Sequence, residues 1–119
     1  MKLYKTNQEF RDDLVSHLNS AKKSFIIVSD TLDNEIYGSR EFTSTLKTKL
    51  EKGIKVAIVS GKYWRSENPK KHGLIDFLKD AQELFYTNLQ VHITSKNIIP
   101  LNYWVVDMNR VLIQAPSRD

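Results

Sequence analysis

Two short apolar runs, SFIIVSD at 24–30 and KVAIVSG at 55–61, constrain the fold more than any other feature of the chain. Hydrophobicity that is nearly continuous over a strand's length marks a strand buried on both faces, as in parallel sheets. Each run follows a segment with helical spacing. Thr6 to Glu9 has the form of a capping box, and Phe10, Leu14, Leu18 and Ala21 continue it along one stripe. Phe42, Leu46 and Leu50 step by four, and Gly53 is placed to take the left-handed conformation that ends a helix. TLDNEIYGS, between the first strand and that helix, reads as a loop. Asn68 and Pro69 cap and open a third helix carrying Leu74, Ile75 and Leu78 inward. LQVHI follows as a strand with Leu89, Val91 and Ile93 on its buried side. NYWVVD and RVLIQA flank Met108-Asn109, a tight connection in which asparagine tolerates positive φ. The order predicts an α/β fold: a mixed, mainly parallel sheet with helices on both faces, closed by a C-terminal β-hairpin.

A length of 119 residues suits one core, so a single domain over 1–119 is expected. No apolar run is long enough to span a membrane, and the acidic, polar start MKLYKTNQEFRDD does not read as a signal peptide, which together point to the cytoplasm. The absence of cysteine excludes disulfides, thiolate nucleophiles and cysteine-based zinc sites. The net charge of +4 favours polyanionic partners.

A helix ending NSAKKSFIIVSD, a helix running into LKTKLEKGIKVAIVSG, the strand LQVHI and the terminal hairpin together resemble one half of the phospholipase D superfamily. That family's signature is His-x-Lys-x4-Asp followed after six residues by Gly-Ser-x-Asn. Anchored on Asp107, it lays the histidine on Pro100, the lysine on Asn102, and the last four residues on Gln114 to Ser117. The chemistry the resemblance implies needs histidine as nucleophile and lysine and asparagine to hold phosphate. Proline offers neither nucleophile nor proton, Asn102 brings no charge, and Ser117 replaces only part of an asparagine. Asp107 alone survives, and an aspartate beside a tight turn is ordinary turn chemistry. Asn102, Asp107 and Ser117 are therefore the remnant of the family motif. The resemblance also implies a homodimer in which two hairpins face each other across a two-fold.

No other group replaces the missing residues. His92 and Lys96 have the wrong spacing, His72 has no carboxylate near it in sequence, and His17 falls on the flank of the first helical stripe. Three scattered histidines make no metal-ligand pattern, and no cofactor or metal is expected. An enzymatic role has no residues to carry it, unless the catalytic groups of a phosphodiesterase are differently aligned.

Recognition chemistry gathers in SGKYWRSENPKKHG, residues 60–73, placed after a buried strand and so at the carboxyl edge of the sheet. Lys62, Arg65, Lys70 and Lys71 are positioned to neutralise phosphates, Tyr63 and Trp64 offer stacking surfaces, and His72 closes the run. The plainer alternative is a solvated basic loop with Trp64 folded over the core. The leading expectation is a non-catalytic domain binding a phosphate-bearing partner, nucleic acid first. Its rival is a regulatory or scaffold domain for a small ligand or a protein, with a phosphate pocket rebuilt around Pro100 and Asn102.

Overall fold

The computed structural model describes residues 1–32, 34–63, 73–94 and 101–114. Strand β1 (Lys2–Tyr4) leads into helix α1 (Asn7–Ser20), β2 (Ser24–Thr31), the single turn α2 (Asn34–Tyr37) and α3 (Arg40–Glu51). Then come β3 (Lys55–Tyr63), α4 (Gly73–Leu84), β4 (Leu89–Ile93), and the hairpin β5 (Asn102–Val106) and β6 (Arg110–Gln114). The six strands form one mixed sheet in the order β1-β6-β5-β2-β3-β4. β5 is antiparallel to β2 and β6, and the other pairs are parallel.

The caps act as the sequence predicts. The Thr6 hydroxyl accepts from the Glu9 amide at 3.1 Å, and Gly53 takes φ 82° just beyond α3. Ser39, the last residue of the segment read as loop, caps α3 by accepting from the Phe42 amide at 3.1 Å. The α1 stripe is buried throughout, and so are Phe42, Leu46 and Leu50 of α3 and Leu74, Leu78 and Ala81 of α4. They cover the sheet face formed by Phe25, Ile27, Val56, Ile58, Leu89, Trp104, Val106 and Leu112. Trp104 is the centre of this layer. It is fully buried, stacks on Phe10 at 3.7 Å between ring centroids, and donates from Nε1 to the Tyr37 hydroxyl at 3.1 Å.

Cover on both faces, the expectation from sequence, is not what the described residues show. α1 packs beside α3 and α3 beside α4, all on the Trp104 face, while Ile26, Val28, Ala57, Val59, Tyr103 and Val105 point the other way and remain half-buried. The cause is the direction of winding. β1, β2, β3 and β4 are mutually parallel and succeed one another in one direction across the sheet. Right-handed crossovers that always step the same way leave every helix on the same side, and covering both sides needs a reversal that this strand order lacks.

Four smaller differences stand beside it. The segment expected to be loop contains α2, because Ile36 and Tyr37 are buried against the core. β1 has no counterpart in the sequence pattern; Lys2 to Tyr4 pair with Leu112 to Gln114 and extend the sheet by an edge strand. In the hairpin, positive φ falls on Asp107 (53°) and Met108 (63°), one residue earlier than the expected Met108-Asn109 pair. β4 is an edge strand on which Leu89 is buried but Ile93 is 42% exposed. The cap expected at Asn68 and Pro69 lies outside the described residues, and α4 is described from Gly73.

Candidate nucleic-acid interface at the carboxyl edge of the sheet

β2, β3 and β4 run parallel and end together at Thr31, Tyr63 and Ile93, with the start of β5 beside them. Lys62 and Tyr63 are the last two residues of β3, and Tyr63 pairs with Thr31 beyond a register shift between Ser29 and Thr31. At that shift the backbones close up. Gly61 lies against the carbonyl oxygen of Asp30, and a Cβ there would also stand 2.7 Å from the Asp30 carboxylate. Glycine is required for space, and the approach fixes where β3 leaves the sheet. Trp64, Arg65, Lys70, Lys71 and His72 lie outside the described residues, as do Pro100 and Ser117.

Asn102 stands at the same edge, where its amide spans three strands. Its Oδ1 accepts from the Asp30 backbone N–H at 2.7 Å, and its Nδ2 donates to Gln114 Oε1 at 3.0 Å. With Ser29, Ser60 and Gln114, all buried, it forms a neutral polar row at the carboxyl end of the helix-covered face. This side chain sutures β2, β5 and β6, so both ends of its amide are committed within the sheet. The Ser60 hydroxyl is buried with no hydrogen-bond partner among the described residues.

Asp107 sits at the opposite end of β5, about 16 Å from Asn102 at about 3.3 Å per residue. Its carboxylate accepts from the backbone N–H groups of Lys22, Lys23 and Ser24 at 2.7–3.1 Å, and its own N–H donates to the Ser24 carbonyl at 2.9 Å. The Lys23 and Ser24 amides hold the carboxyl below the usual carboxylate range. From the other side the buried Lys49 ammonium donates to the Ala21 carbonyl at 2.9 Å, and burial lowers its pKa. Asp107 thus clamps the chain entering β2 to the hairpin turn, and the strand length keeps it away from Asn102. Asp107→Ala should cost about 2–3 kcal/mol, combining the removal of charged hydrogen bonds with a Cβ-only residue at positive φ. Asp107→Asn keeps an acceptor and tolerates the conformation, so its cost should be about half as large in urea unfolding. Equal losses from the two would show that the carboxylate's charge, and not an acceptor at this place, carries the clamp. An Asp107→Asn variant as stable as the parent would show that the charge carries none.

The described histidines occupy other places. His92 is exposed on β4, on the face away from the helices. His17 lies under β1, with Nε2 3.0 Å from the Tyr4 hydroxyl, which also donates to Asp13 at 2.7 Å. Burial lowers the His17 pKa, and burial followed by the Asp13 bond raises that of Tyr4 above the usual tyrosine range. Among the described residues no group of three or more His, Cys, Asp or Glu side chains could hold a metal ion. No described helix is long and apolar enough to cross a membrane.

No family model matches the chain, and no curated protein shows significant sequence similarity to it. Among solved structures, that of TrmBL2, an archaeal chromatin protein with a novel mode of DNA binding, is similar in fold. The TM-score is 0.56 at 14% identity, over 87% of this chain and 36% of that one. This chain therefore spans about a third of the chromatin protein's length, and the likeness is one of fold.

The sequence located the edge but not its wiring. The bonds from Asn102 to Asp30 and from Asp107 to residues 22–24 join positions 72 to 85 apart, and only the three-dimensional pairing reveals them. A short polar residue beside a positive-φ turn was the one local signal for Asp107.

Proposed function

We propose that this chain is a non-catalytic domain that binds a phosphate-bearing partner, nucleic acid first, through the segment from Lys62 to His72. The observation that carries the reading is the course of β3, which delivers Lys62 and Tyr63 to the carboxyl edge of the sheet immediately before the basic and aromatic residues. Ligand sites of open α/β sheets lie at this edge. Clustered lysines and arginines with rings between them supply phosphate neutralisation and base stacking. The net charge of +4 and the fold shared with a DNA-binding chromatin protein support it. Kinship with the phospholipase D superfamily, carried by KGIKVAIVSG and the hairpin, belongs to the same proposal, as does a homodimer. Asn102 is spent on Asp30 and Gln114, which counts against a small-ligand pocket rebuilt around it.

The test compares Lys70→Ala/Lys71→Ala with Trp64→Ala on single-stranded and duplex DNA over a range of salt concentrations. The lysine pair should reduce the slope of log affinity against log salt by roughly 0.7–0.9 for each phosphate no longer neutralised. The tryptophan variant should weaken binding by about 1–3 kcal/mol with little change in slope. If the lysine variant binds as the parent does, or the parent binds neither DNA at low salt, the segment is a solvated connector.

A further inference from the structure

The sheet face opposite the helices is apolar at its centre and out to β1, and polar along β4 and at both ends of the strands. Strand pairing sets Val111, Val105, Ile26 and Ala57 in one row across β6, β5, β2 and β3. Ile113, Tyr103, Val28 and Val59 form the next row, which the 57% exposed Leu3 extends onto β1. Both rows end on β4 at exposed polar residues, Gln90 and His92. Ser24 and Lys55 bound the face at one end of the strands and Asp30 at the other. No charged side chain lies within the two rows, and no described element packs over them. An apolar patch bounded by polar residues on three sides is the layout of an interaction surface.

We propose that this face is the surface through which a second copy of the chain docks, sheet against sheet, about a two-fold axis running across the strands between the two rows. The proposal rests on the dimer included in the reading above and gives it a surface. Size supports it. With about 4.8 Å between strands and about 3.3 Å per residue, the sheet from Ser24 to Asp30 offers on the order of 500 Å² per copy. Two copies then bury about 1,000 Å², the lower bound of a specific interface.

Complementarity supports this axis in particular. It keeps each strand over its own counterpart and reverses its direction, so each row lies on the other row. Tyr103 meets the partner's Val105, Val59 meets the partner's Ala57 and Ile113 meets the partner's Val111, larger against smaller throughout. The Lys55 end faces the Asp30 end of the partner, and β4, polar on this face, meets its own polar counterpart. A shallow depression of about 300 Å³ bordered by Ile26, Lys55, Ala57 and Gln90 receives the partner's Val59 and the partner's His92. An axis parallel to the strands would instead lay Leu3 on polar β4, which the chosen axis avoids.

Sedimentation of the full chain should give a dimer at micromolar concentration. Val105→Lys and Val59→Lys each place a charge in the apolar centre and should weaken dimerisation at least about a hundred-fold. The circular dichroism spectrum should be unchanged, because these side chains face away from the core. Since the chain lacks cysteine, the pair Ala57→Cys/Val59→Cys gives a second readout that needs no destabilising charge. Oxidation should trap a covalent dimer through bonds from residue 57 of one copy to residue 59 of the other. A parent that remains monomeric overturns this proposal and the dimer together, while leaving DNA binding by the loop to its own test. A dimer that survives both lysine substitutions, or folded cysteine variants that yield no covalent dimer, overturns the proposed surface alone.

Discussion

Trp104→Ala should lower the free energy of unfolding by about 3–5 kcal/mol, the range for removing a buried large aromatic. The loss combines the cavity with the stacking on Phe10 and the tilted ring packing against Tyr4 and Phe25. Because a domain is stable by only about 5–15 kcal/mol, the variant should be partly unfolded at 37 °C. Trp104→Phe separates the contributions. It keeps a ring against Phe10 and deletes the Nε1–H bond to the Tyr37 hydroxyl, so it should cost about 1–2 kcal/mol. Urea unfolding followed by far-ultraviolet circular dichroism measures both without relying on the tryptophan as probe. If the alanine variant lost less than about 2 kcal/mol, Trp104 would not be the centre of the core.

Gly61→Ala should cost about 2–3 kcal/mol by overpacking, because the added Cβ meets the Asp30 backbone, which has no rotamer with which to yield. Either β2 and β3 separate at their ends or the bulge at Asp30 shifts. Both movements displace Lys62 and Tyr63, so DNA affinity should fall although every basic and aromatic side chain is retained. Its salt dependence should stay near that of the parent, in contrast to the shallower slope expected for Lys70→Ala/Lys71→Ala. A Gly61→Ala protein with parental stability would show that the two strand ends can part without cost.

Helices α1 and α3 were legible because each announces itself locally. Thr6 and Glu9 begin α1, steps of four from Phe42 define α3, and Gly53 stops it. The strands were legible as apolar runs, but the same runs misled about what covers them. Ile26, Val28, Ala57 and Val59 make β2 and β3 continuously apolar although no described helix lies over them, and such a run reads identically whether a helix or another molecule does the covering. α2 is a single turn and β1 three residues, both too short to establish a period. The mixed sheet followed from element order, whereas the side on which the helices lie depends on strand order, which no local pattern encodes. At the candidate interface the sequence placed the basic segment beside the end of β3. It put Asn102 and Asp107 at the two ends of one strand but did not reveal the partners that each end binds.

The strand order also dictates a schedule for synthesis. β5, which follows β1 to β4 in the chain and so leaves a ribosome after them, fits between β2 and β6 in the middle of the sheet. Until residues 102–106 emerge, β2 presents an unpaired apolar edge, and the floor beneath Phe10 and Leu14 lacks Trp104. α1 and the β2-β3-β4 crossovers can form early, yet their core stays open along one side. A nascent chain of this kind is exposed to edge-to-edge association from the emergence of β2 until the hairpin follows and closes that edge.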